Sequence, residues 1–242
     1  MKEYDAGTYG KRHADIYDDF VTTYDPACIE LLAELSKGGP ALELGIGTGR
    51  IALPMYEKGV SVLGIDASEE MLEKLRAKPG GNEIELFAGS FAQFDLDRQF
   101  SLIYVVANTF FVLLSQEEQV QCFASVRKHL SPDGVFVLET FVPDPSRFED
   151  GQTVRAVRLT ENEAIFEISQ HDPAAQIVTS QHVWMTPKGI QLYPVKLRYA
   201  WPSELDLIAQ LAGLSLHHRW SSWSKEPFTR ASKKHISLYA IS

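Results

Sequence analysis

Three glycines at alternating positions, Gly45, Gly47 and Gly49, follow directly on the apolar run Ala41–Leu44. A short apolar run that breaks into such a loop and resumes as a helix constrains the fold more than any other feature of the chain. The glycines let the backbone turn sharply and approach a ligand, and the amides of the next helix point at whatever sits there. A G-x-G pair alone is weak evidence, because a tight strand-to-helix turn without a ligand uses the same residues. Asp66 strengthens it. It closes the following strand about 20 residues on, where a carboxylate can accept both ribose hydroxyls of a nucleoside. Its competing role is helix entry before Ser68.

Around this loop, residues 40–141 alternate strand and helix. Strands are expected at Ala41–Leu44, Val60–Ile65, Ile84–Ala88, Leu102–Ala107 and Val135–Thr140. Arg50–Lys58 reads as a helix closed by Gly59, with Pro54 as a potential kink. Ser68 caps the next helix, whose first turn carries Glu69 and Glu70, the favourable sign for the helix dipole. Ser115-Gln-Glu-Glu118 is a capping box opening a helix that ends near Leu130. This alternation means βαβ units and a parallel sheet, an α/β fold.

Residues 1–37 are expected to be a helical N-terminal extension with tyrosines at 4, 9, 17 and 24. Within it Asp25 is an N-cap, Pro26 the first helical residue and Gly38 a left-handed exit. Residues 142–201 change period. Val154–Leu159 and Ala164–Ser169 read as one strand pair. Gln176–Met185 is another strand, across the turn Pro187-Lys-Gly189 from one in which Val195, Leu197, Tyr199 and Trp201 alternate with Lys196, Arg198 and Ala200. A helix at Pro202–Leu211 follows, and strands at Leu214–Trp220 and His235–Ile241 are expected to rejoin the main sheet. The 242 residues suit one domain.

The formal net charge of −9 disfavours nucleic acid, which is gripped through cationic contacts to phosphate. The N-terminus lacks a basic-then-apolar leader, and no apolar run is long enough for a bilayer. Two cysteines, Cys28 and Cys122, make no disulfide framework and suit a reducing cytoplasm. No His, Cys or carboxylate spacing suggests a metal.

A dinucleotide fold would carry G-x-G-x-x-G, but Arg50 stands where the third glycine belongs. Glu43-Leu-Gly-Ile-Gly-Thr-Gly49 resembles instead the first motif of class I S-adenosylmethionine (SAM)-dependent methyltransferases. Gly64-Ile-Asp-Ala-Ser68 with Met71-Leu72 resembles that family's second strand and helix, and Phe100-Ser-Leu-Ile103 followed by Asn108 its fourth strand. Leu130-Ser-Pro-Asp-Gly134 resembles the turn before its fifth. Across its length the chain is most similar to bacterial small-molecule methyltransferases, including those acting on amino sugars and other natural products. The resemblance implies a doubly wound, mostly parallel, seven-stranded Rossmann-like sheet with an antiparallel β insertion after the fifth strand. It also implies SAM as cofactor, S-adenosylhomocysteine as product, and methyl transfer to oxygen, nitrogen or carbon of a small-molecule acceptor. The implied cofactor contacts are Glu43, Gly45, Gly47, Gly49, Asp66, Ala67, Met71, Ser90, Phe91 and Ala107, with Tyr17 from an N-terminal segment that folds over the cofactor. One departure is that the acidic residue the family commonly carries after its third strand is missing. Ser90 and Phe91 follow Gly89 there, and Asp95 is a substitute candidate.

Methyl transfer from a sulfonium needs positioning, exclusion of water and sometimes a base. Aromatic faces suit the sulfonium. Tyr9, Asn108 and Glu139 are therefore the catalytic candidates, the last two at carboxyl ends of parallel strands, where open α/β sheets bind ligands. The competing roles are packing for Tyr9 and a salt bridge for Glu139. His13, His182 and His235 are further candidate bases, with His182 read as a surface residue of its strand. Asn108-Thr-Phe-Phe111 lacks the prolines carried there by enzymes that methylate base amines. Trp201, Trp220 and Trp223 suit a pocket or a core equally. Two other readings stay open, a nicotinamide oxidoreductase and a SAM-binding module without catalysis. The insertion is expected to cover the substrate site, its competing role being the interface of a homodimer.

Overall fold

The computed structural model describes residues 4, 7–20 and 23–242. The N-terminal elements are α1 (Thr8–His13), α2 (Tyr17–Phe20) and α3 (Pro26–Ser36). Then come β1 (Ala41–Leu44), α4 (Ala52–Glu57), β2 (Val62–Asp66), α5 (Glu69–Arg76), β3 (Glu85–Ala88), β4 (Phe100–Val105), α6 (Gln116–His129) and β5 (Leu130–Phe141). Four strands follow: β6 (Gln152–Leu159), β7 (Ala164–Asp172), β8 (Ile177–Thr186) and β9 (Gly189–Arg198). The chain closes with α7 (Pro202–Leu211), β10 (Leu214–Trp220) and β11 (Lys234–Ile241).

Seven strands form one sheet in the order β10-β11-β5-β4-β1-β2-β3. The pairs from β5 to β3 are parallel, and β11 runs antiparallel to both β5 and β10. The sheet is mixed and mostly parallel, with the antiparallel insertion β6–β9 after the fifth strand as a separate four-stranded sheet. Period two and burial on both faces explain the continuous apolar runs. In β4, Ile103 and Val105 join one hydrophobic cluster with α6 and α7, while Leu102 and Tyr104 join the other with α3, α4 and α5.

Local chemistry sets the helix ends. Asp25 accepts the Ala27 amide at the start of α3, and Ser115 and Glu118 complete the capping box of α6. The left-handed exit of α3 begins one residue earlier than the glycine suggests, at Lys37 (φ 51°), with Gly38 following at 76°. Pro54 falls in the first turn of α4, where proline is tolerated, and the flanking amides of Leu53 and Met55 keep their bonds to Gly49 and Ile51.

Several strand ends differ from expectation: β2 starts at Val62, β4 at Phe100, and β5 already at Leu130, so that the expected turn Leu130–Gly134 is part of the strand. Two further ends bear on the site. β4 stops at Val105, because Ala107 (φ 54°) and Asn108 (φ 67°) both turn left-handed. β9 stops at Arg198, because Pro202 opens α7. Tyr199 and Trp201 therefore leave the alternation: Tyr199 is buried, and Trp201 is exposed at the N-cap of α7. The buried Arg198 ties the insertion to the core. It donates to Gln119 (2.6 Å) on α6, to Gln176 (3.0 Å), and to Glu204 (2.8 Å) on α7.

Among the described residues, no helix is long and apolar enough to cross a membrane.

Candidate active site

The glycine loop and Asp66 form one unit. Gly45, Gly47 and Gly49 have φ of 73°, 56° and 81°, a region other residues enter at a cost. A Cβ on Gly45 would also collide with Thr109. The Gly47 amide donates to Asp66 Oδ2 at 2.8 Å and the Ser68 amide to Oδ1 at 2.9 Å. Burial raises the Asp66 carboxyl above its ordinary range, against the pull of these amides.

Above this unit lies a cavity of about 210 Å³. Its lining includes Tyr9, Tyr17, Gly45, Gly47, Asp66, Ala67, Met71, Ser90, Phe91, Ala107 and Asn108, all drawn from the sequence reading. Three of the predicted site residues do not line it. Glu43 lies beneath, buried, accepting the Tyr104 hydroxyl at 3.0 Å, and burial pushes its carboxyl up to about 8. Gly49 faces Leu53 and Leu75, where a Cβ has no room, so it serves packing of the helices behind the loop. Glu139 is engaged by three donors: the Ala107 amide (2.9 Å), the Trp223 indole (3.1 Å) and Lys234 Nζ (2.8 Å). Its salt-bridge role is the one the structure displays. It acts on the cavity by holding Ala107.

The N-terminal segment forms one wall. Tyr9 stacks on His13 with centroids 4.1 Å apart and meets Tyr17 edge-on at 6.4 Å. Burial raises both tyrosine hydroxyls above their ordinary values. His13 Nδ1 lies 2.8 Å from the Tyr9 carbonyl, its Nε2 is buried with no hydrogen-bond partner among the described residues, and burial pushes it down to about 4. Asn108 commits Oδ1 to the Phe141 amide at 2.7 Å, which leaves Nδ2 to meet a ligand.

The insertion forms the facing wall through His182, Val195 and Leu197. His182 thus corrects the surface reading. It points inward on β8, against the Phe20 ring at 5.6 Å. Burial lowers its basicity, and Glu167, its cross-strand partner, opposes that. His235 sits in the sheet between Thr140 (3.0 Å) and Ser237 (2.8 Å), fully buried and pushed down to about 3, away from the cavity. Asp95 is an exposed partner of Lys128 and lies outside the cavity, which leaves Ser90 and Phe91 there. Trp201, Trp220 and Trp223 do not line it either.

Sequence reasoning passed over Arg50, noted only as a missing glycine. Its guanidinium donates to the Thr23 carbonyl at 3.0 Å and acts on Tyr17 and Glu43, while its Nε is buried with no hydrogen-bond partner among the described residues. An orphaned guanidinium nitrogen beside Tyr17 suits a carboxylate, and the glycine cradle with Asp66 suits a nucleoside. The nucleoside end of SAM therefore fits the cavity's lining, of which Arg50 is not a part. The signal was available: a cation directly after a nucleotide-type loop. Val195 and Leu197 carried only period two, which marks a covered face but not what it covers. Among the described residues, no cluster of three or more His, Cys, Asp or Glu could hold a metal ion.

Comparison with known proteins shows the family and the fold. A methyltransferase domain family matches residues 41–134. The chain is 39% identical to the CcbJ methyltransferase of Streptomyces caelestis, over 99% of this chain and 100% of that one, with a TM-score of 0.93. It is 27% identical to the cypemycin N-terminal methyltransferase of a Streptomyces species, over 95% of this chain and 96% of the relative. An S-adenosylmethionine-dependent methyltransferase from Clostridium acetobutylicum shares the fold at 15% identity, over 96% of this chain and 98% of that one, with a TM-score of 0.81.

Proposed function

The chain belongs to the SAM-dependent methyltransferases, and from that premise we propose that it methylates an amine nitrogen of a small, natural-product-like acceptor. The observation that carries the nitrogen is His182, an imidazole on the wall of an otherwise mostly apolar cavity. An amine with a pKa of about 8, as for an α-amino group, is partly deprotonated at neutral pH. It needs from the enzyme only a weak proton acceptor, and burial holds His182 neutral for that task. The cypemycin relative, named as an N-terminal methyltransferase, points the same way.

In this reading SAM, when bound, supplies an electrophilic methyl on a sulfonium. Asp66 holds the ribose hydroxyls, Arg50 the amino-acid carboxylate, and Ser90 and Phe91 flank the adenine. Tyr9 and Tyr17 present aromatic surface to the cation and keep water out. Asn108 Nδ2 orients the acceptor, and His182 takes its proton. Glu139 acts through Ala107 as a positioning residue. The insertion covers the acceptor, and all 242 residues work as one unit. Two buried free cysteines suit a cytoplasmic setting.

The test is a thermal-shift screen with SAM, S-adenosylhomocysteine and NAD, then methyl-transfer assays on paired amine and hydroxyl acceptors. Expected are stabilisation by the first two ligands, transfer to amines, and an acid limb of kcat/KM that disappears in His182→Gln. Stabilisation by NAD alone would overturn the family reading for this cavity. Transfer to hydroxyls with amines inert would overturn the nitrogen assignment.

A further inference from the structure

A second cavity of about 340 Å³ opens beside the first, between the end of β5 and the inner face of the insertion. Two pairs of directly linked residues connect their linings. Val178 lines the second and is the cross-strand partner of Leu197, which lines the first. Phe141, in the second, gives its amide to Asn108, in the first.

The first cavity alone is small for a two-substrate reaction. Its volume of about 210 Å³ lies below the roughly 300–1,000 Å³ of ordinary ligand pockets. With a cofactor in place, an acceptor larger than the space left extends beyond it, and the second cavity is one adjoining space.

Its chemistry is distinct. The floor is aromatic: Phe148 stacks on His171 at 4.5 Å, and His171 Nε2 meets the Tyr199 hydroxyl at 2.9 Å. The lining carries Arg147, Arg155 and Lys233 with one carboxylate, Asp144, while Glu167, outside the lining, pairs with Arg155. Arg147 lies over the Phe148 ring at 4.7 Å and makes no ion pair among the described residues. Lys233 reaches Asp144 only at 3.9 Å. Arg155 gives Nε to Glu167 and keeps its terminal nitrogens for another partner. Three cations around one opening contrast with the net charge of −9, and guanidinium forks over an aromatic floor match planar or tetrahedral oxyanions.

We propose that this second cavity is a distal subsite for the methyl acceptor and takes an anionic group on it, a phosphate or a carboxylate. The proposal rests on the methyltransferase reading of the first cavity. The test is calorimetry on the protein saturated with S-adenosylhomocysteine, at constant ionic strength, titrated with inorganic pyrophosphate and separately with citrate. The variants are Arg147→Gln with Lys233→Gln, and Lys188→Gln at the β8–β9 turn as a control. Loss of charge-assisted contacts should weaken the anion about tenfold in the double variant and leave the control unchanged. Pyrophosphate binding lost in this way assigns a phosphate, and citrate binding lost in this way assigns a carboxylate. No heat from either at millimolar concentration, or binding that both variants retain, overturns the subsite. The S-adenosylhomocysteine titration on the same samples reports folding and the first cavity independently, so failure of one reading is not failure of the other.

Discussion

The carboxylate of Glu139 accepts the amide of Ala107 at 2.9 Å, joining the end of β5 to the loop that leaves β4. Ala107 sits at φ 54°, a conformation that costs roughly 1 kcal/mol or more outside glycine. The Trp223 indole shares the same carboxylate at 3.1 Å. Lys234 is half exposed, so its ion pair adds little. Glu139→Ala should cost about 2–3 kcal/mol in chemical denaturation and weaken S-adenosylhomocysteine binding. Adding Ala107→Gly should restore part of both, because glycine no longer needs the restraint. Full ligand affinity in a destabilised Glu139→Ala protein would detach this carboxylate from the site.

Asp66 links the loop to α5 and, in the proposed function, holds the ribose. Charge-assisted hydrogen bonds contribute roughly 1.5–3 kcal/mol each, so Asp66→Ala should weaken SAM about tenfold or more. Asp66→Asn separates the roles, since one amide oxygen can still accept the Gly47 or Ser68 amide while the paired acceptor is lost. An unchanged SAM dissociation constant in a folded Asp66→Ala protein would refute the ribose assignment.

Much of this was legible because it is local. The spacing of Gly45, Gly47, Gly49 and Asp66 records backbone needs that only certain residues meet. The capping box at Ser115 and Glu118 is likewise written in adjacent residues. What escaped depends on tertiary neighbours. Glu139 was legible as a residue at a strand end, but its partners Trp223 and Lys234 lie more than eighty positions away. Period two says that one face of β8 is covered, but His182 needed the sheet to be docked before inward could be told from outward. Arg50 lost its meaning by being scored against a glycine motif.

The buried titratable groups predict a stability maximum near pH 6.5. His13 and His235 ionise at about 4 and 3 in the fold, against 6.5 ordinarily. Below pH 6.5 the unfolded chain binds these protons first, so stability falls as pH drops. Glu43 has the opposite sign: raised from 4.5 to about 8, it favours the fold below 4.5, and that contribution is lost as pH rises through 8. Between 4.5 and 6.5 two histidines outweigh one carboxyl, and above 6.5 Glu43 acts alone, each proton being worth roughly 1.4 kcal/mol per pH unit. Asp66, also raised, adds to the Glu43 trend at lower pH. Glu43→Gln should remove the decline between pH 6.5 and 8 in urea titrations, and His235→Gln should soften the acid limb. A decline that persists in Glu43→Gln would mean that this carboxyl is ionised in the fold.

The insertion presents two apolar faces with different prospects. Val195 and Leu197 point into the cavity. On the opposite face Ile168 is 45% and Leu192 58% exposed, in registered strands. If the inner face shapes the acceptor site, Val195→Ala with Leu197→Ala should raise the acceptor KM several-fold and leave SAM affinity nearly intact. The proposed cofactor residues lie on the main sheet and the N-terminal segment, whereas these two are held by the insertion. Arg198, clamped to Gln119 and Glu204, keeps that sheet docked while its side chains are trimmed. The homodimer reading makes the opposite forecast. Ile168→Lys with Leu192→Lys would then halve the mass seen in light scattering, and the inner-face variant would leave acceptor KM unmoved. Steady-state kinetics on the amine panel and light scattering on both double variants decide between them. An unmoved KM alongside a dissociated dimer would make the insertion an interface instead of a wall of the site.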